Sequence, residues 1–276
     1  MLTEFSLEGR VALVTGASRG IGQAIAETLA EAGSDIIAAG RDLTALGKTR
    51  DLVEGKGRKC HVVRVDVCSQ AEIESLVAEG LGTFGHLDIL VNNAGIDLIG
   101  PVVYHEDLLI ELTRKEALSL EEWEKVLRTN LTSMFLTCKA LGPHMMERRS
   151  GKVINISSIQ GVGSLGGLAI GDPAYGTSKA GIMYFTKALA LEWAPFNINV
   201  NSLSPGCFWT EMWETPGVAD EPQARQEIID AMTEYIPLRR WGNLRELGLL
   251  AVYMASSASD YLTGQVIHLD GGFVAK

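Results

Sequence analysis

Thr15-Gly16-Ala17-Ser18-Arg19-Gly20-Ile21-Gly22 follows the apolar run VALVT at residues 11–15 and opens the stretch IGQAIAETLAEAG at residues 21–33. A short apolar run that ends in glycines and leads into a 3.6-residue period reads as a buried strand, a tight turn and a helix. Ile21, Ile25, Leu29 and Ala32 fall on one helical face, and Gly33 suits the exit. Glycines in such a turn let the backbone approach a pyrophosphate, and the helix that follows offers its free N–H groups and positive end. The same glycines would serve a plain turn with close helix–strand packing, so the turn alone leaves the ligand open.

Outward from this unit, apolar runs recur at residues 36–39, 61–67, 87–91, 153–156, 198–203 and 266–269, each separated from the next by helical or loop sequence. Several are apolar at successive positions, as strands buried on both faces are. Alternation of this kind predicts a seven-stranded, mainly parallel sheet with helices on both sides, wound by right-handed crossovers. The expectation is an α/β fold, one doubly wound Rossmann-type domain over residues 1–276, since no linker, charge block or repeat marks a boundary. Ligands of such sheets bind beyond the carboxyl ends of the strands.

Lys and Arg number 24 against 34 Asp and Glu, a formal net charge of −10. That balance argues against non-specific nucleic-acid binding, which needs clustered cations. No run reaches the roughly 18 apolar residues that span a membrane, and the opening MLTEFSLEGR has no signal-peptide pattern. Cys60, Cys68, Cys138 and Cys207 form no CxxC pair and suit reduced thiols in the cytoplasm better than disulfides or a metal centre.

Five further features stand in order: Asp66, Asn92-Asn93-Ala94-Gly95, Asn130 in TNL, Ser158 in NISS with Tyr175-x3-Lys179, and Pro205-Gly206-x3-Thr210. With Thr15-Gly16-x3-Gly20-x-Gly22 they make the chain resemble the short-chain dehydrogenase/reductase family over about residues 7–273. The resemblance implies hydride transfer between a nicotinamide and a carbonyl or alcohol carbon. It makes Asn130, Ser158, Tyr175 and Lys179 the catalytic residues. For the cofactor it points to Gly16, Ser18, Arg19, Gly20, Ile21, Gly22, Arg41, Asp66, Val67, Asn93, Ala94 and Gly95. Tyr175, Lys179, Pro205, Gly206, Phe208 and Thr210 complete that set. Asp66, placed just inside the end of the third strand, would hydrogen-bond the adenine.

The residue types suit the chemistry. Reduction needs a hydride on carbon and a proton on oxygen. Tyr175 and Lys179 stand four apart and share a helical face. Free tyrosine has a pKa of about 10, and a nearby ammonium is expected to lower it into a useful range. By resemblance, Lys179 also holds the nicotinamide ribose, Ser158 bonds the substrate oxygen, and Asn130 holds a water linking Lys179 to solvent. Blander readings stand beside these: Asn130 as the N-cap of LTSMFLTCKAL, Ser158 as an ordinary strand-end serine with Ser157 as the fallback.

At the end of the second strand the chain reads Ala38-Ala39-Gly40-Arg41-Asp42. An acidic residue there would accept both ribose hydroxyls of NAD and repel a 2′-phosphate. Arg41, with Arg19, instead suits a phosphate pinched by guanidiniums and favours NADP. Asp42 turned inward would keep NAD open, and both arginines could be plain surface residues.

The chain departs from the resemblance in three places. Residues 96–119 are an insertion near the expected site mouth, where Leu108, Leu109 and Leu112 suit a short amphipathic helix; substrate lid, surface decoration and oligomer contact are all open. The stretch between Ser158 and Tyr175 is rich in glycine. Residues 207–240 would cover the substrate, with Phe208, Trp209, Met212 and Trp213 as an apolar lid or as core. The favoured substrate is a small polar keto-sugar or keto-acid; the alternatives are a 3-oxoacyl-carrier-protein reductase and a cofactor-binding regulator without catalysis. A carrier protein would need a basic patch, and Arg148, Arg149 and Lys152 precede a strand, so they belong at the far end of the sheet. The apolar helices around Asn130 and Tyr175, with a last strand at the sheet edge, predict a homotetramer, or a dimer if residues 96–119 block one contact.

Overall fold

The computed structural model describes residues 2–103, 116–163, 172–211 and 222–275. Seven strands form one sheet: β1 (Val11–Thr15), β2 (Asp35–Gly40), β3 (Cys60–Arg64), β4 (Ile89–Asn92), β5 (Gly151–Ile156), β6 (Ile198–Pro205) and β7 (Val266–Leu269). Their order is β3-β2-β1-β4-β5-β6-β7, and every pairing is parallel. The chain thus winds outward from β1 in one direction and from β4 in the other, which leaves a crevice where the order reverses.

Two apolar layers hold the sheet, because alternate residues of each buried strand point to opposite faces. Ala12, Val14, Ile36, Ala38, Ile154 and Leu203 meet α1 (Gly20–Glu31) and α8 (Leu244–Ala255). Leu13, Ile37, Leu90, Val153 and Val200 face the other way. On that side lie α3 (Gln70–Phe84), α5 (Ser133–Arg148) and α6 (Pro173–Trp193). The remaining helices are α2 (Leu43–Glu54), α4 (Leu120–Leu127) and α7 (Pro222–Tyr235).

The doubly wound parallel sheet agrees with the alternation in the sequence, and β1 and β7 have the expected bounds. Two strands differ. β3 stops at Arg64 because its neighbour β2 ends at Gly40, with which Arg64 pairs, so the apolar run through Val67 has no partner strand to extend along. β6 runs on to Pro205 because Leu269 of β7 pairs with it there. Arg148, Arg149 and Lys152 do lie at the amino ends of the strands: Arg148 pairs with Asp88 at 3.0 Å and Lys152 with Asp260 at 2.8 Å. Residues 96–119 start and finish side by side, with the Leu118 N–H donating to Pro101 O at 2.9 Å. Leu108, Leu109 and Leu112 lie outside the described residues.

Candidate active site

The first turn is shaped by close approach. Gly16 has φ +63°, and a Cβ there would lie 2.8 Å from Ala94 Cα. A Cβ on Gly22 would run into Gly16 O and the Asn93 amide, nearer than real side chains come. Only glycine fits at either position. Asn93 braces this turn: its Nδ2 donates to Thr15 O and Gly16 O, both at 3.0 Å. The Asn93 and Ala94 N–H groups donate to Thr15 Oγ1 at 3.0 and 3.2 Å, so both the side chain and the backbone of Asn93 lock the end of β4 to the turn.

Helix α1 begins just after the turn, with Arg19 as a cap residue that gives no side-chain cap and with no acid in the first turn. No acid in the first turn of α1 competes for the N–H groups of Gly20, Ile21 and Gly22. A phosphate suits that end, by charge and by hydrogen bonding. Ser18 is half-buried beside it. Arg19 reaches across to Glu211, Nε to Oε2 at 3.3 Å. Thr210 stands against Gly20, its Cβ 3.4 Å from where a Gly20 Cβ would be.

Arg41 is exposed at the carboxyl end of β2 and pairs with no carboxylate among the described residues. Asp42 is taken up as the N-cap of α2, its Oδ1 accepting from Ala45 N–H at 3.0 Å. This removes the inward-turned Asp42 that would have served a ribose. Asp66 lies past the end of β3 rather than inside it, exposed, with its Oδ1 accepting from Cys68 N–H at 2.9 Å. Val67 is a core residue, 8% exposed, with only backbone to offer. On the other side of the crevice Pro205 closes β6, and Gly206 packs against Asp270, where a Cβ would fall 2.6 Å from Asp270 Cα.

The four expected catalytic residues converge at the carboxyl ends of β4 and β5. Asn130 is not an N-cap. Helices α4 and α5 run into one another through a π-helical turn, Arg128–Thr132, and Asn130 sits fully buried inside it. The real cap is Ser119, which with Glu122 forms a capping box at the start of α4. Asn130 Oδ1 accepts from Ile96 N–H at 2.8 Å, while its Nδ2 donates to Ile96 O at 2.9 Å and Ser178 Oγ at 3.0 Å. An atom placed as a Gly95 Cβ would be 3.3 Å from Asn130 Oδ1 and 3.7 Å from Lys179 Nζ, so these three residues meet at one point.

Pro173 and Asp172 set the start of α6: proline at the first turn, and Asp172 Oδ1 accepting from Tyr175 N–H at 3.3 Å. From there Ser178, Ile182, Thr186, Leu189 and Trp193 face inward. Lys179 lies on the buried side too, 4% exposed, with Nζ donating to Ile156 O at 2.9 Å and 5.2 Å from the Tyr175 ring centroid. Ser158, 8% exposed, accepts from Gln160 N–H at 3.2 Å and is hydrogen-bonded toward the Tyr175 phenol. Ser157 is spent elsewhere, paired with Ser202 Oγ at 2.7 Å, so Ser158 is the serine that faces the site.

The electrostatics differ from the expectation for Tyr175. Its phenol is pushed up, first by burial and then by the nearby carboxylate of Asp97; the Ser158 hydrogen bond pulls the other way. Part of the ring stays exposed, but the hydroxyl end is enclosed. Burial also pushes Lys179 down to about 8, opposed by the charge of Asp97. Desolvation thus outweighs the ammonium–phenol attraction that the spacing of Tyr175 and Lys179 suggests.

Phe208 is not a lid residue. It is 4% exposed and packs in the core, bridged by its backbone to Gly242, whose missing side chain leaves room for its ring. Trp209 packs at a 46° tilt against Trp241, centroids 5.6 Å apart, with the Arg225 guanidinium 4.0 Å over its ring. Met212 and Trp213 lie outside the described residues. Sequence reasoning missed a buried polar chain beneath the site. Thr137 Oγ1 donates to Asn92 Oδ1 at 2.6 Å, Asn92 Nδ2 to Asn155 Oδ1 at 2.9 Å, and Asn155 Nδ2 to Thr186 Oγ1 at 2.9 Å. It ties β4 and β5 to α5 and α6. The signal was a pair of asparagines within otherwise apolar strands, which a buried sheet accepts only when both are bonded.

The arrangement offers a phosphate cradle at α1, an exposed guanidinium where a nucleotide's ribose end would lie, and a phenol, hydroxyl and ammonium grouped at the strand ends. A family model described as enoyl-(acyl carrier protein) reductase matches residues 16–274. A 2-dehydro-3-deoxy-D-gluconate 5-dehydrogenase of Bacillus subtilis is 38% identical over 272 residues, 99% of this chain and 97% of that protein. A 3-oxoacyl-acyl-carrier-protein reductase of Aquifex aeolicus is 37% identical over 98% of this chain and 99% of its own length. Among solved structures, a gluconate 5-dehydrogenase from Burkholderia cenocepacia in complex with NADP and tartrate superposes with a TM-score of 0.85. It is 32% identical, covering 100% of this chain and 99% of that one.

Proposed function

Because the chain belongs to the short-chain dehydrogenase/reductase family, we propose that it is an NADP(H)-dependent carbonyl reductase and alcohol dehydrogenase acting on a small polar keto-sugar or keto-acid. The observation that carries the reading is the meeting of Tyr175, Ser158, Lys179 and Asn130 at the ends of β4 and β5, beside a glycine turn shaped for a pyrophosphate.

A bound nicotinamide supplies the hydride to carbon. The residues of the chain do the rest. Gly16, Ser18, Gly20, Ile21 and Gly22 cradle the pyrophosphate on the first turn of α1. Arg41 and Arg19 take the 2′-phosphate, while Asp66 and Val67 border the adenine. Asn93, Ala94 and Gly95 line the middle of the cleft, and Pro205, Gly206, Phe208 and Thr210 border its nicotinamide end. Lys179 holds the ribose and Ser158 holds the substrate oxygen as charge develops on it. Tyr175 Oη gives that oxygen its proton in reduction and takes one back in oxidation. Asn130 joins Ile96 to Ser178 beside Lys179, a placement suited to a proton path.

Arg41 supports NADP over NAD: it is exposed at the ribose end and pairs with no carboxylate among the described residues, while Asp42 is tied to α2. The gluconate-type relatives support the polyhydroxy substrate. The acyl-carrier relative keeps a 3-oxoacyl substrate as the second reading. Against it, Arg148 and Lys152 are paired at the opposite end of the sheet, away from the mouth of the site. Purified protein with NADPH or NADH and a panel of keto-sugars, keto-acids and 3-oxoacyl thioesters tests this. NADPH loss with a polyhydroxy ketone is expected; turnover of the thioester alone would select the second reading. Failure with every carbonyl would leave the non-catalytic regulator.

We read the chain as one domain, working in the cytoplasm with all four cysteines free. No helix among the described residues is long and apolar enough to cross a membrane. Its assembly is a homotetramer. Phe135 on α5 and Tyr184 and Leu191 on α6 are exposed at 48%, 76% and 81%, and β7 is a sheet edge paired only with β6. Light scattering giving the mass of one 29.8 kDa chain would refute that.

A further inference from the structure

Two carboxyl groups outside the expected catalytic set meet beside Tyr175. Asp97 lies on the segment that leaves β4, two residues past Gly95, and Asp172 caps α6. Asp172 is 8% exposed, and its Oδ1 is used by the Tyr175 N–H. Its Oδ2 is buried, as is Asp97 Oδ1, and neither meets a hydrogen-bond donor among the described residues. The two side chains lie within hydrogen-bond reach of one another, yet as carboxylates neither has a proton to donate.

Ionised carboxylates only accept hydrogen bonds, so a bond between two of them requires a proton on one. Two carboxylates in hydrogen-bond reach of one another, away from water, do not both stay charged. A single proton held between the two carboxyls would give the two side chains a hydrogen bond to one another. We propose that Asp97 and Asp172 hold one proton between them, and that the single negative charge left on the pair keeps Tyr175 in its protonated, donating form. Both are positioning residues, acting through Tyr175. The inference rests on the reading of Tyr175 as the proton donor.

The groups facing the Tyr175 phenol come from three directions. Asp97 approaches from the end of β4 and Ser158 from the end of β5. Asp172 and Lys179 come from α6 itself, one at its start and the other a turn beyond the tyrosine. The pair's charge opposes a phenolate and favours the Lys179 ammonium. Burial pushes both Asp97 and Asp172 up, and for Asp172 the bond to Asp97 adds to it, in keeping with a retained proton. The pair therefore biases the site toward proton donation, the role needed for carbonyl reduction.

Infrared spectroscopy of the full chain at neutral pH tests the proton directly. The wild type should show a protonated-carboxyl carbonyl band that Asp97→Asn loses; no such band in the wild type would overturn the proposal, with or without a known substrate. The pH profile of NADPH-dependent ketone reduction tests the role. In Asp97→Asn an amide donor replaces the acid O–H against Asp172, so the charge stays and the alkaline limb should hold within about 0.3 unit. Asp97→Asn/Asp172→Asn removes the charge, so Tyr175 ionises more readily and the limb should move to lower pH by about one unit. Asparagine caps helices as well as aspartate, so the start of α6 is kept. A limb unmoved in the double variant would sink the electrostatic role. An equal shift in Asp97→Asn alone would show that both carboxyls were charged. If no ketone is reduced at all, the proposed function fails, and the infrared band still decides the shared proton.

Discussion

Replacing Arg41 by Asp isolates the choice of cofactor better than any other single change. Arg41 is exposed and holds no ion pair among the described residues, and the adjacent Asp42 stays bound to Ala45 N–H as the cap of α2. The substitution therefore removes nothing the fold depends on, and stability should stay within about 0.5 kcal/mol, a shift of roughly 2 °C at most in Tm. A hydrogen bond to a charged group is worth about 1.5–3 kcal/mol. At about 1.4 kcal/mol per decade, its loss raises KM for NADPH roughly ten- to a hundredfold. An aspartate beside a 2′-phosphate adds repulsion, which salt weakens over a Debye length of about 8 Å. KM for NADH should stay or fall, since an acid there accepts ribose hydroxyls. Arg19 is only a partial substitute. Its pairing with Glu211 leaves the side chain 69% exposed, an ion pair worth about 1 kcal/mol or less that a phosphate could displace. Initial rates with each cofactor at one saturating ketone, at low and physiological salt, give the answer. An NADPH/NADH preference unchanged from wild type would refute the role of Arg41 and transfer it to Arg19.

Tyr175→Phe should abolish turnover while NADPH still binds, measured by nucleotide fluorescence; activity within about tenfold of wild type would remove Tyr175 as the proton donor. Gly22→Ala drives a methyl against Gly16 O and the Asn93 amide, so it should cost about 1–3 kcal/mol and weaken nucleotide binding severalfold, read by thermal melts with and without NADPH. Burial lowers Lys179 from 10.5 to about 8, so between those pH values the unfolded chain holds more protons than the folded one. Wild-type stability from this group therefore rises with pH across that window. Lys179→Met should be inactive yet about 1–2 kcal/mol more stable at pH 7, after allowance for the lost bond to Ile156 O, with the gap closing toward pH 10. A gap that widens with pH would contradict the buried ammonium.

Much of the molecule was legible in one dimension. The run at residues 11–15, the glycine turn and the face of Ile25 and Leu29 depend on neighbours within a few residues, so periodicity and turn chemistry identify them. The same holds for Tyr175 and Lys179, one helical turn apart. The bounds of β3 and β6 were less so, because a strand ends where its partner ends, and the partners lie elsewhere in the chain. Phe208 read equally as lid or core until Gly242, far along the sequence, supplied the space its ring fills.

The sequence by itself determined that a strand, a glycine turn and a helix open a parallel sheet, and which residue types could carry a hydride-transfer site. Only the tertiary structure decided their electrostatic state. It put Asn130 inside a π turn instead of at a helix start, joined Asn92 to Asn155, and brought Asp97 against Asp172. It also reversed the expected direction of the Tyr175 shift. The physical reason is that spacing along a chain specifies which groups are near each other locally, whereas the cost of charging a group depends on how much water the rest of the fold removes around it.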